Sequence, residues 1–161
     1  MTIKEKLGNL IDFETSEKTI DVLMVEWFET GKRIMQKKTQ SGLDVNMRFL
    51  KENPNLAKDD VIYVDEKIII VIDIKPVDVI VIIPESILQA AIFCYEIGNK
   101  HLPLYHDGDA LLIPFDLPLF KWLEKGGFKP LQQNKRLLFP IRTSVAPHAH
   151  NGGSSSLFGK I

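Results

Sequence analysis

The sequence predicts an α+β protein: an all-β N-terminal domain, a mixed β/α domain after it, and a flexible C-terminal tail. Three observations carry this. No helical periodicity occurs before residue 84, where β-branched runs alternate with turn residues. At Lys75-Pro76 the pattern changes to strands interleaved with two amphipathic segments. From about Thr143 apolar periodicity stops altogether. The expected divisions are residues 1–75, 76–142 and 143–161.

Strands are expected at Thr19 to Trp27, Arg33 to Thr39, Asp44 to Phe49, Val61 to Val64 and Lys67 to Ile74. Thr30-Gly31, Ser41-Gly42 and Asn53-Pro54-Asn55 supply the breaks between them. Val61 to Ile74 reads as a hairpin turning at Asp65-Glu66. The acidic pair Asp59-Asp60 lacks a calcium-loop pattern and reads as a solvated turn. Pro76 cannot donate to a sheet ladder and pushes Lys75 out of the helical region, which makes this dipeptide the domain boundary.

Beyond it, Asp78 to Ile83 is a strand apolar on both faces, and Pro84-Glu85 opens a helix running to about Gly98. Leu88, Ala91, Tyr95 and Gly98, flanked by Ile87, Ile92 and Cys94, form its expected inward stripe. Leu102 to Tyr105 and Ala110 to Phe115 then pair around the Asp107-Gly108 turn. A second helix fits Leu117 to Lys125, with Asp116 as N-cap, Pro118 in the first turn and Gly126-Gly127 as the stop. A last strand is expected through Arg136 to Phe139. The order β-α-β-β-α-β is that of the ferredoxin-like split sandwich.

Composition narrows the function. The chain has 161 residues, 45% of them hydrophobic, enough for a core. Its 20 basic and 21 acidic residues leave a net charge of −1, so no strong field is present to hold nucleic acid or an anionic membrane. The apolar stretch Ile68 to Pro84 is interrupted by Asp73, Lys75, Pro76 and Asp78, which argues against a membrane span. The N-terminus lacks a signal-peptide pattern, and the single Cys94 forms no internal disulfide, so a reducing cytoplasmic setting is expected.

Catalytic patterns are missing. Gly126-Gly127 ends a helix rather than cradling a phosphate, no serine sits in a nucleophile elbow, and Cys94 reads as a packing residue seven positions before His101. What remains is histidine. All four lie late in the chain, at His101, His106, His148 and His150. His101 follows a helix end, where exposed carbonyls favour a cation. His148 and His150, in Pro147-His148-Ala149-His150, sit in the tail, where a histidine has no packing role, so the segment is either incidental or a tethered ligand. His106, beside Asp107 and Asp109, reads first as a polar hairpin tip. One imidazole per chain is too few for a tight site, but a two-fold axis would double it.

Tyr95-Glu96-Ile97-Gly98-Asn99-Lys100-His101, continued by Leu102-Pro103-Leu104, resembles the signature of the UreE family of urease accessory metallochaperones, which carries Gly-Asn-Arg-His here. Glu26-Trp27, Lys32-Arg33-Ile34 and the strand pair around Gly42, with Asp44 after it, extend the likeness over residues 17 to 140. The resemblance implies a peptide-binding-like N-terminal module and a homodimer formed through the C-terminal domains. It implies that His101 meets its twin at the two-fold axis and binds nickel, with zinc or copper competing, and that His148 and His150 add ligands. It further implies nickel delivery to the urease apoprotein together with the accessory GTPase of that pathway. Three departures stand out: the tail offers only two histidines, Ile113 and Phe115 replace histidines that some relatives carry in the second hairpin strand, and Asp59-Asp60 replaces Gly-Asp. The alternative is a metal-independent scaffold that binds a partner by strand addition.

Overall fold

The computed structural model describes residues 1–50 and 53–141. The expected tail therefore lies outside the described residues.

The N-terminal part is all β apart from two single 3-10 turns. Its strands are β1 (Thr2–Ile3), β2 (Gly8–Asn9), β3 (Thr19–Val25), β4 (Ile34–Lys38), β5 (Asp44–Arg48), β6 (Asp60–Val64) and β7 (Ile68–Ile74). They form a three-stranded sheet of order β1-β5-β4 and a four-stranded sheet of order β2-β6-β7-β3. The two sheets share a core built from Leu23, Val25, Val45, Met47, Ile70 and Ile72, none more than 0% exposed. The β6–β7 hairpin forms where expected, its turn held by Asp65, whose Oδ1 accepts from the Lys67 and Ile68 backbone N–H groups at 2.7 and 2.8 Å.

The two shortest strands had no sequence signal, because two paired residues are too few to show a period. The reading of Asp59-Asp60 as wholly solvated is corrected. Asp60 is buried, accepting from the Ala57 N–H and pairing with Lys6, both at 2.8 Å, so the turn is anchored to the N-terminal arm.

After Ile74 the chain enters a different sheet. Its elements are β8 (Val77–Ile82), α1 (Ile87–Asn99), β9 (Tyr105–Asp107), β10 (Ala110–Pro114), α2 (Leu117–Lys125), β11 (Leu131–Lys135) and β12 (Phe139–Pro140). The sheet order is β11-β8-β10-β9-β12, antiparallel throughout. Without β12 this is the split β-α-β-β-α-β order, with β8 and β10 central and buried by both helices.

Three expectations for this half are corrected. The last regular strands are β11 and β12, and Arg136 to Leu138 between them carries no ladder; Leu137 instead drops into the core with Val79, Val81 and Tyr105. Strand β11 carries no sequence signal because Leu-Gln-Gln-Asn-Lys is exposed along an edge and shows no apolar alternation. Helix α1 starts at Ile87, three residues after Pro84: Ser86 is the cap, its Oγ accepting from the Gln89 N–H at 3.1 Å, and Pro84 lies outside. The expected inward stripe of α1 is also reversed. Phe93 and Ile97 face the sheet, whereas Leu88 is 69% and Tyr95 68% exposed.

The two halves are joined by more than the chain. Trp27 packs edge-on against Tyr105, with centroids 6.3 Å apart, and the Arg136 guanidinium binds both Asp73 oxygens at 3.1 and 2.9 Å.

Candidate metal centre

Helix α1 ends in a double hydrogen-bonded motif. The His101 N–H donates to the Gly98 carbonyl at 3.0 Å, and the Leu102 N–H to the Ile97 carbonyl at 3.2 Å. This closure requires the residue after the cap to adopt the left-handed conformation, which normally selects glycine. His101 occupies it, with φ at 53°. Helix α2 closes identically, through Gly127 N–H to Glu124 and Phe128 N–H to Leu123, and there the left-handed residue is Gly127, with φ at 82°.

One fold thus builds the same turn twice, once with glycine and once with histidine. A left-handed residue that carries a Cβ costs roughly 1–2 kcal/mol, so the imidazole is held at the helix end against a conformational penalty. Its ring is exposed and makes no hydrogen bond or ion pair to another described residue. The last carbonyls of α1 surround its backbone and favour a cation there.

The neighbouring residues turn away. Lys100 lays its ammonium over the Trp122 ring at 4.8 Å, which removes a competing positive charge from the helix end. Gly98 is exposed, and a Cβ built on it would meet nothing within 4 Å. From it the apolar residues Tyr95, Ile92 and Leu88 run back along the outer face of α1.

The other candidates separate from this point. His106 lies on β9, its ring against Phe139 with centroids 5.5 Å apart, and Asp107 is engaged by Lys135 at 2.7 Å. Cys94 packs at the core of the helical layer, and burial raises its thiol pKa, as suits an inert packing residue. Among the described residues no group of three His, Cys, Asp or Glu converges on one point within the chain. His148 and His150 lie outside the described residues. The last described residue, Ile141, follows β12, which pairs antiparallel with β9, and donates its N–H to the Leu104 carbonyl at 2.7 Å.

A feature with no local sequence signal lies next to His101. Trp27, Leu102, Phe115, Leu119 and Trp122 line a cleft of about 580 Å³ between the two halves, with Lys100 and Asp116 at its edge.

Residues 3–75 match the family model described as UreE urease accessory protein, N-terminal domain. The urease accessory protein UreE of Flavobacterium johnsoniae is 46% identical over 161 residues, covering 100% of this chain and 97% of that protein. The chain belongs to the UreE family. The UreE proteins of Actinobacillus pleuropneumoniae and Helicobacter pylori are similar at 40% and 35% identity, over 89% and 98% of this chain and 79% and 95% of their own lengths. These relatives are named urease accessory proteins, not enzymes. No described helix is long and apolar enough to cross a membrane.

Proposed function

We propose that this UreE-family chain is a cytoplasmic metallochaperone that carries nickel to the urease apoprotein, working with the accessory GTPase of that pathway, and binds the ion where two copies of His101 meet in a homodimer. The single observation that supports this is the placement of an exposed imidazole, at a conformational cost, on the end of a helix whose outer face is apolar and unpartnered within the chain.

A helix apolar on both faces needs burial on both. The sheet covers Phe93 and Ile97; a second copy would cover Leu88, Ile92 and Tyr95 and bring the two helix ends, with their histidines, together. Exposed Gly98 suits a close approach at that end, since a glycine inside a helix otherwise costs about 1 kcal/mol relative to alanine.

Two imidazoles fill only part of a nickel coordination shell, which leaves the ion exchangeable, as a carrier requires. Nitrogen ligands also accept zinc and, more tightly, copper, so both compete. The remaining ligands are assigned to His148 and His150. Six residues lie between Ile141 and His148, seven steps that reach about 23 Å when extended, and Ile141 sits opposite Leu104, three positions from His101. The span is sufficient.

Calorimetric titration of nickel into the metal-free full chain, paired with urease activation in cells supplied with the same variants, tests the proposal. His101→Ala should lose high-affinity binding and lower urease activation at limiting nickel. Parent-like affinity in that variant would end the His101 assignment, and parent-like activation by a variant lacking His101, His148 and His150 would favour the metal-independent scaffold.

A further inference from the structure

Both tryptophans of the chain, Trp27 and Trp122, line the cleft beside His101. They are 95 positions apart, and they come from different sheets' surroundings: Trp27 follows β3, and Trp122 lies in α2. The walls between them are Leu102, Phe115 and Leu119, so an occupant of this cleft must be apolar. Trp122 remains 39% exposed although the cleft could bury it.

We propose that the occupant is the chain's own segment Leu157-Phe158-Gly159-Lys160-Ile161. The direction of the chain supports this. Because Phe139 pairs with His106, Pro140 with Tyr105, and Ile141 bonds Leu104, continuation of that line runs toward Pro103 and Leu102, two residues of the cleft wall.

Composition supports it as well. Asn151 to Ser156 is an uninterrupted polar, glycine- and serine-rich connector, and three apolar residues, Leu157, Phe158 and Ile161, follow it at once. An aromatic and two aliphatic side chains fit a tryptophan-walled cleft, and Lys160 complements Asp116 at its edge. The connector, residues 142–156, has 15 positions, and a coil of that length spans about 20 Å root-mean-square. A tether of this kind supplies a millimolar effective concentration, so weak intrinsic affinity suffices for docking.

Docking goes beyond the metal reading and stands without it.

Tryptophan fluorescence reads the cleft directly, because no tryptophan lies elsewhere. The metal-free full chain, kept in chelator, is compared with a chain ending at Ser156 and with Phe158→Asp. Docking predicts red-shifted emission and faster acrylamide quenching in both variants, and reversal in the truncated chain by the synthetic peptide Leu157–Ile161 at millimolar concentration. Identical emission and quenching in all three proteins would overturn the proposal. So would protection that persists after truncation and grows with protein concentration, which would assign the cleft to a second copy. Nickel affinity is measured separately, so failure of docking and failure of the metal site are distinguishable.

Discussion

Replacing His101 by glycine should make the metal-free protein more stable while removing its metal site. The residue has φ at 53°, where relief of the left-handed penalty returns roughly 1–2 kcal/mol. Glycine's larger freedom in the unfolded chain takes back about 0.4–1 kcal/mol. The net gain is about 0.5–1 kcal/mol, and for a chain of 161 residues 1 kcal/mol corresponds to about 2–4 °C in Tm. The turn at α2, already built on Gly127, shows that the backbone accepts glycine there.

The control is His101→Ala, which keeps the strained backbone and loses the ring; its stability should stay near that of the parent. Urea and thermal unfolding of the three metal-free proteins, at one protein concentration, give the comparison. A glycine variant less stable than the parent would mean that the imidazole supports the fold from within, and the assignment of its strain to ligand placement would be wrong.

Further expectations concern the interface and the core. Ile92→Asp, on the outer face of α1, should shift the protein to monomer in sedimentation while leaving its circular dichroism unchanged; an unaltered mass would place the dimer contact elsewhere. Gly98→Ala should stabilise dilute monomer by about 1 kcal/mol through helix propensity yet weaken association, and unchanged association would remove Gly98 from the interface. For Asp21, burial alone would raise the carboxyl pKa, but hydrogen bonds from Ser41 and Thr39 outweigh it and hold the group below the ordinary value. A depressed folded pKa contributes stability above the unfolded value of about 3.9 and loses it as pH falls through the folded one. Asp21→Asn should therefore destabilise the chain at pH 7 and flatten its acid unfolding curve below about pH 4, which urea midpoints across pH would show.

How much of this could be read from residues alone differs by element. Helix α2 was fully legible because Asp116, Pro118 and Gly126-Gly127 mark both ends, and each acts as its chemistry requires. Helix α1 was found but rotated. Its two faces are both apolar, so periodicity could not say which one meets the sheet, and Phe93 and Ile97 hold that place. The rotation is informative, since it leaves Leu88, Ile92 and Tyr95 as an apolar stripe exposed on the outer face.

His101 is legible as a helix-end residue, but the helix, expected to run to about Gly98, continues to Asn99, and nothing in Gly-Asn-Lys-His announces that histidine takes the left-handed position. Strand β11 was displaced because its pairing with β8 rests on backbone bonds and on Gln132 and Asn134 reaching Asp78, not on an apolar pattern. The cleft could not be read at all, because its two tryptophans meet only through packing between the halves.

Convergence of two His101 rings on one ion is tested most directly by diffraction from nickel-loaded crystals at wavelengths on either side of the nickel edge. The account predicts one anomalous peak on the two-fold axis, within bonding distance of the imidazole nitrogens of both chains. A peak bound by one chain alone, away from α1, or His101 rings on opposite outer faces of the dimer, would contradict it.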